Sequence, residues 1–230
     1  MRNARTPPTF FFLVSLFSFI LVVPRVFASG GAEEPTPPAF DGEYAALEED
    51  ANEMFAGLEA IDAPVEPLVL LYKEGISKSV SPDDLQQAAR LEYSRLRFAA
   101  ELFDEYYPQE EHPREAFEAL TLGLSSGIAP ELPQSLAEQA GASFRLGDLV
   151  AALGRLRRWH SIEVDRLREL GGALLESELT RQSYDAVATI LVRAMTRGET
   201  EESIDRVVRI LQNGGGLVQI SRELDNRRTP

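Results

Sequence analysis

The histidines are the first candidates for chemistry, because the chain contains two of them and no cysteine. Without cysteine, a thiolate nucleophile, a disulfide and a Cys-ligated zinc or iron–sulfur site are excluded. His112 lies three residues before Glu115, close enough in sequence for an imidazole and a carboxylate to meet. No second histidine is near enough to complete a metal site. Because His112 precedes Pro113, we expect it to be a helix N-cap at the surface.

The second histidine closes the only cluster of basic and aromatic residues. The cluster comprises Arg155, Arg157, Arg158, Trp159 and His160, and Trp159 is the only tryptophan of the chain. These residue types favour cation–π stacking or contact with a phosphate group. Acidic residues follow closely and the preceding apolar spacing is helical, so a structural role at the corner of a helical hairpin is the alternative. If the protein has a hot spot for a partner, we predict that it comprises Arg157, Arg158, Trp159 and His160.

The sequence carries none of the common catalytic signatures. It has no G-x-S-x-G elbow, no phosphate loop, no G-x-G-x-x-G after a strand and no H-E-x-x-H. The three glycines at 214–216 follow a helix, so they indicate a helix end. We therefore expect no catalytic residue, no cofactor and no metal. A carboxylate-based hydrolase acting on cell-wall material is the alternative, because acidic residues are abundant.

The N-terminal segment is typical of a signal for export. Arg2 and Arg5 precede an uncharged apolar run over 9–23, and residues 26–28 fit a cleavage site. The run has 15 residues, fewer than the roughly 20 that a membrane-spanning helix needs. We predict a signal peptide over 1–28 and a periplasmic or extracellular protein. The alternative is that 9–23 stays uncleaved and anchors the protein in the membrane.

The charge of the chain excludes one class of partner. The net charge is −14, and residues 29–230 carry 20 basic and 37 acidic residues, a net of −17. Such a chain is unsuited to binding the phosphate backbone of nucleic acids. Residues 29–66 contain 11 acidic residues and no basic residue. We expect this segment to expose a solvated acidic face, with docking onto a basic partner or divalent cations as the alternative.

Helical periodicity dominates from Asp41 onward, and no segment alternates as a strand does. The sequence predicts an all-α fold, an array or bundle of about eight to nine helices in capped hairpins, with an irregular solenoid as one form. A flexible linker at 29–40, a helical domain at 41–213 and a short C-terminal tail at 214–230 complete the predicted organisation. Later helices are expected at about 134–142, 146–159, 162–179, 184–197 and 201–212, with N-caps at Ser161, Ser183 and Thr200.

An apolar seam runs along the first predicted helix. Its members are Tyr44, Leu47, Ala51, Met54, Leu58 and Ile61. Alternating steps of three and four residues place them on one helix face. We expect this stripe to pack on its own domain. Self-association through Tyr44, Leu47, Met54 and Leu58 is the alternative.

A helix–turn–helix unit recurs in the chain. Residues 68–89 align with 187–208 at a shift of 119, and a third copy begins at Phe117 at a shift of 48. Each copy has a small residue at the turn, namely Ser79, Gly127 or Gly198. We predict the left-handed backbone conformation that ends a helix at these positions. Chance similarity between capped amphipathic helices is the alternative to true repetition.

The export signal, the helical hairpins and the missing catalytic signatures together favour one interpretation. We expect an exported α-helical protein of a bacterial cell envelope that acts through protein–protein contacts. Its partner is expected to be a protein and not a nucleic acid, and membrane contact is expected only if 9–23 is uncleaved.

Overall fold

A computed structural model describes residues 36–198 and 200–225 of the chain. The described residues all lie within one unit, residues 35–230. The predicted signal peptide over 1–28, the apolar run over 9–23 and most of the predicted linker lie outside the described residues.

The described residues form helices and no strand, which confirms the predicted all-α fold. A 3-10 helix over Gly42–Leu47 leads directly into α1 (Glu48–Glu59). The helices that follow are α2 (Glu66–Ser77), α3 (Pro82–Tyr106), α4 (Arg114–Ser125), α5 (Glu131–Ala140), α6 (Ser143–Trp159), α7 (Val164–Glu176), α8 (Arg181–Thr196), α9 (Thr200–Gln212) and α10 (Leu217–Asp225). The described parts of the chain thus hold one helix more than the upper number predicted, and the additional helix is α10.

The helices are arranged in two layers. In one layer α4, α6, α8 and α10 pack in series, each against the next. In the other layer α3, α5, α7 and α9 do the same. Contacts such as those of α3 with α4, α5 with α6 and α9 with α10 join the layers. Because each helix buries only the stripe that faces its neighbours, the array gains its stability from stacking.

The predicted turn chemistry is confirmed at three helix ends. Ser79, Gly127 and Gly198 have φ angles of +53°, +93° and +94°. Glycine tolerates this left-handed region because it has no Cβ, whereas Ser79 adopts it against a steric cost. A fourth residue of this kind, Gly214, has φ +73° and precedes α10. Asp62 after α1 and Gly141 after α5 also have positive φ, +50° and +70°, so left-handed residues follow helices at six places among the described residues.

The five later helices all begin at residues other than those predicted: α5 and α6 begin three residues earlier, at Glu131 and Ser143, and α9 begins at Thr200 itself. The other two starts involve the predicted N-caps Ser161 and Ser183. Helix α7 begins at Val164 with Glu163 in the N-cap position, and α8 begins at Arg181 with Thr180 there. Ser161 is displaced because the residues after α6 run extended until Glu163. Ser183 lies inside α8, where its backbone N–H donates to the Thr180 carbonyl.

The N-terminal seam belongs to the core of the chain itself. Tyr44, Leu47, Met54 and Leu58 are all buried among residues of the same unit. The Tyr44 hydroxyl donates to the Val80 carbonyl at 2.9 Å, which ties the 3-10 helix to the start of α3. These four side chains are therefore covered by their own domain, as expected for a stripe that packs internally.

Both ends of the helical domain extend further than predicted. Phe40, placed in the linker by sequence, is buried and packs edge-on against Tyr72 with ring centroids 5.2 Å apart. At the other end, residues 217–225 form α10, where the sequence predicted a frayed tail. Ile220 and Leu224 are buried there, because their helical spacing places both on the stripe that faces α8. Among the described residues, no helix combines the length and the hydrophobicity needed to cross a membrane.

Candidate partner-binding surface

The predicted partner cluster lies where α6 ends. Helix α6 stops at Trp159, and His160 is extended with φ −142° and ψ 140°. The His160 N–H still donates to the Leu156 carbonyl at 3.0 Å, so the chain leaves the helix with its last turn intact. Arginines in the last turn interact favourably with the negative end of the helix dipole. The helix dipole therefore stabilises the positive charges of Arg157 and Arg158 in the last turn of α6.

Among the described residues, Trp159 is the aromatic residue whose side chain is most exposed. Its relative exposure is 67%. Large aromatic groups are normally buried, because water contact with their apolar surface is unfavourable. The sequence could not distinguish this outcome from a core position, since Trp159 follows Leu153 and Leu156 at helical spacing. An exposed indole of this size is the feature of the surface that most needs a functional reason.

Arg157 has a structural role. Its Nη1 donates to the Ile162 carbonyl, five residues later in the chain. This bond bridges the link from α6 to α7 and fixes the extended segment after Trp159. The stem of Arg157 also lies beside the positive-φ Gly127, since a Cβ on that glycine would be 3.7 Å from Arg157 Cγ. Arg157 therefore positions the segment, and its charged group is engaged within the chain.

Arg158 connects α6 to α4. Its Nη2 donates to the Ser126 hydroxyl at 2.8 Å, and that hydroxyl donates to the Leu122 carbonyl at 2.8 Å. Leu122 has a relative exposure of 44%. We call the surface formed by Leu122, Ser126, Arg158 and Trp159 the Trp159 corner. It combines two exposed apolar side chains with one guanidinium that has no carboxylate partner among the described residues.

Two of the acidic residues that follow the corner in sequence pair elsewhere, whereas Glu163, in the N-cap position of α7, is exposed. Asp165 pairs with Arg168, and Glu169 pairs with Arg166 at 3.1 Å, so these carboxylates serve α7 itself. They do not neutralise the end of α6. In the sequence these basic and acidic residues lie close together. In the structure the arginines lie at the end of α6, whereas the paired acidic residues lie on α7.

Two ion pairs join α6 to the neighbouring helix α8. Arg155 pairs with Asp185 of α8 at 2.7 Å, and Asp148 pairs with Arg181 at 3.2 Å. These two pairs show that α6 and α8 run side by side in the same direction. The pairs 148–181 and 155–185 are offset by 33 and 30 residues, so Arg193 of α8 is level with residues 160–163, in the link that follows α6. Arg193 is exposed and, within the described residues, pairs with no carboxylate.

His160 is half-buried, and its Nε2 is enclosed without a hydrogen-bond partner among the described residues. The imidazole therefore turns toward the protein, while Trp159 points to solvent. Of the four residues that the sequence proposed, Arg158 and Trp159 are exposed, with Arg158 bonded to Ser126, whereas Arg157 and His160 support the link that follows them.

His112 is not the surface N-cap expected from the sequence. Pro113 occupies the N-cap position of α4, and the His112 side chain is only 14% exposed. Its ring packs against Phe103 and Phe117, with centroid distances of 5.2 and 6.5 Å. The flat imidazole fills a gap between these rings, and this packing outweighs a capping role. An open hollow of about 360 Å³ passes beside it, lined also by Glu59, Asp62 and Arg114.

Among the described residues, the acidic side chains that bear on a carboxylate-based hydrolase lie in an open hollow or in an ion pair. Glu48, Glu49 and Glu53 line an open hollow on α1. Burial raises the pKa of Asp148, although the charge of Arg181 opposes the shift. Asp148 lies on the outer face in an ion pair with Arg181. The described residues contain no group of three or more potential metal ligands.

The fold and this surface define a class, a two-layer helical array with an exposed aromatic and cationic corner. Comparisons with protein-family models, with curated proteins and with solved structures find no match to the chain. The function is therefore argued from the corner alone.

Proposed function

We propose that the protein is exported to a bacterial cell envelope and acts there, without catalysis, by binding a protein partner through the Trp159 corner. The observation that supports this proposal is the exposed indole of Trp159 next in sequence to Arg158, whose guanidinium has no carboxylate partner in the part of the chain that the structure describes. Tryptophan and arginine are the residues most enriched in the energetic centres of protein interfaces. Leu122, one helical turn before the Ser126 that accepts from Arg158, is a further exposed apolar side chain.

The corner suits binding because it is held rigid before a partner arrives. Arg158 is tied to Ser126, and Arg157 is tied to Ile162. Side chains that are already ordered lose less conformational entropy on association. Export is proposed from the N-terminal residues, whose composition is that of a signal peptide.

The test is chemical crosslinking in cells that produce the full chain, followed by isolation of the tagged protein and mass spectrometry. Wild type is compared with the double variant R158E/W159A. The matched control is R209E/Q182A, which makes the same change of charge at exposed positions on α9 and α8. Circular dichroism establishes that all three proteins are folded.

We expect a defined envelope protein to be crosslinked to wild type and to the control variant and to be lost from the corner variant. Removal of a central tryptophan costs about 2 kcal/mol or more of binding energy, enough to abolish recovery of a micromolar complex. The proposal is wrong if all three proteins recover the same partners, or if none recovers more than background.

A further inference from the structure

The link between α9 and α10 contains the only asparagine of the chain that is followed by glycine, Asn213 before Gly214. Asn213 comes directly after the last residue of α9, and both residues are exposed. Because Gly214 has no side chain, nothing attached to it shields its backbone nitrogen from the Asn213 carboxamide. The link therefore places an unhindered nitrogen next to an electrophilic carbon at the surface.

In the folded chain both of these groups are held by hydrogen bonds to the last turn of α9. The Asn213 Nδ2 donates to the Arg209 carbonyl at 2.7 Å. The Gly214 N–H donates to the Leu211 carbonyl at 2.9 Å, and its φ of +73° is the left-handed conformation that commonly ends a helix. The Gly214 nitrogen can attack the carboxamide only after these bonds open.

The position of the link in the fold favours such opening. The ends of helices open at a lower cost in free energy than their centres do. After Gly214 the chain continues through two more glycines into α10, a helix of nine residues. Glycines restrain the backbone little, so the last turn of α9 can open while the rest of the array stays packed.

We propose that Asn213 is a site of spontaneous modification, converted to aspartate or isoaspartate when the last turn of α9 opens. The Gly214 nitrogen gives its proton to solvent and bonds to the Asn213 Cγ, while the bond from Cγ to Nδ2 breaks and ammonia leaves. Water then opens the cyclic imide at either of its carbonyl groups. The net change is the gain of a water molecule and the loss of ammonia. The reaction involves no residue of the Trp159 corner.

The modification weakens the attachment of α10. The product has no Nδ2 to donate to the Arg209 carbonyl, and its carboxylate lies at the negative end of the α9 dipole, which is unfavourable. Isoaspartate also adds a methylene group to the backbone between α9 and α10. This insertion changes the register with which the buried Ile220 and Leu224 pack on the array.

The test is to age the purified full chain at mildly alkaline pH, digest it and separate aspartate from isoaspartate products by liquid chromatography and mass spectrometry. Asn52 is the control within the same chain, because it is exposed inside α1 and is followed by Glu53. A synthetic peptide of residues 210–217 gives the rate for the open sequence. Circular dichroism before ageing establishes that wild type and variants are folded.

Two variants connect the modification to α10. N213Q keeps a side-chain amide, but the additional methylene group moves the carboxamide away from the Gly214 nitrogen and slows cyclisation. N213D carries the aspartate product from the start. Hydrogen exchange of the backbone amides of residues 217–225 measures how firmly α10 is attached in each protein.

We expect aspartate and isoaspartate at position 213 and none at position 52, formed about ten-fold or more slowly than in the peptide. Residues 217–225 are expected to exchange about two-fold faster or more in aged wild type and in N213D than in aged N213Q.

The inference is wrong if position 213 stays unmodified while the peptide reacts, or if Asn52 is modified at the same rate. A rate at position 213 equal to that of the peptide would contradict control by the end of α9. Equal exchange of residues 217–225 in aged wild type and aged N213Q would overturn the effect on α10.

Discussion

Two buried tyrosines differ in the contacts of their hydroxyl groups. The Tyr72 hydroxyl is enclosed and has no hydrogen-bond partner among residues 36–198 and 200–225, while its ring packs edge-on against Phe40 and Phe55. The Tyr107 hydroxyl donates to the carbonyl of Ala137 and so joins the end of α3 to α5. A buried hydroxyl without a partner lowers stability, whereas a satisfied one contributes to it.

The substitution Y72F is therefore expected to cost nothing and to raise the free energy of unfolding by up to about 1 kcal/mol. The matched substitution Y107F is expected to lower it by about 1 kcal/mol, since the Ala137 carbonyl loses its donor. Urea unfolding followed by circular dichroism measures both. Equal losses in the two variants would show that the Tyr72 hydroxyl is satisfied in solution.

The same tyrosine predicts a dependence of stability on alkaline pH. Burial, followed by the negative charge of Asp50, raises the pKa of Tyr72 to about 12 from its ordinary value of 10.0, although Arg90 opposes the shift. A raised pKa means that folding favours the neutral phenol. Its contribution is complete below pH 10 and is lost as the pH rises toward 12. The Y72F variant is expected to lose less stability than wild type between these values, and an identical slope in both proteins would contradict the assignment.

Single residues also mark the limit of prediction from sequence. The arginine and tryptophan cluster was found because its composition is unusual in an acidic chain. Its exposure was not predictable, because Trp159 continues a helical apolar spacing and becomes exposed only where α6 ends. The place of His112 before Pro113 predicts an exposed side chain, yet the rings of Phe103 and Phe117 on the two flanking helices bury it.

Helices α4 and α6 approach closely through glycine. A Cβ on Gly154 would lie 2.8 Å from the Gly123 Cα and 3.1 Å from the Gly123 carbonyl oxygen. Backbone atoms cannot move aside as the end of a side chain can. G154A is therefore expected to lower the free energy of unfolding by about 1–3 kcal/mol, because it forces the helices apart.

The matched control for this contact is G172A, on α7. A Cβ there meets only the amide of Gln139, at 3.7 Å or more, which is ordinary contact. Alanine is a better helix former than glycine, so this variant is expected to gain about 0.5–1 kcal/mol. Thermal and urea unfolding compare the two variants. If both variants lost the same free energy of unfolding, the close approach of α4 and α6 would not be the reason that position 154 requires glycine.

Helix α10 offers an equally direct comparison within one element. Ile220 is buried against the array, whereas Val218 is 76% exposed. I220A is expected to cost about 2–5 kcal/mol, since it removes buried apolar contacts and leaves a cavity. V218A is expected to change stability by less than about 0.5 kcal/mol. If both variants unfold like wild type, α10 does not belong to the cooperative core.

The left-handed residues that end helices could be predicted from the sequence more easily than the residues at which helices start. The left-handed residues Ser79, Gly127 and Gly198 follow from a local rule, namely a small residue after the last apolar position of a helix. The starts of α7 and α8 depend on contacts made after the chain reverses, such as the bond from Arg157 to Ile162. The tail was misjudged because its short apolar stripe becomes stable only when α8 covers it.

The predicted export of the chain has its own test. When the full chain is produced in a bacterium, we expect cleavage after Ala28 and a mature protein that begins at Ser29. Mass spectrometry of the intact protein and of its N-terminal peptide measures this. Recovery of the uncleaved chain in the membrane fraction would contradict cleavage and support anchoring through residues 9–23.

The central claim is that the molecule meets its partner at the Trp159 corner, and photo-crosslinking from that position tests it most directly. A photoreactive amino acid replaces Trp159 in the full chain. In a second strain the same amino acid replaces Gln182, which is exposed at the start of α8. After illumination of intact cells, we predict a discrete crosslinked product from position 159 and none from position 182. The absence of a product at 159, or the same products from both positions, would contradict the account.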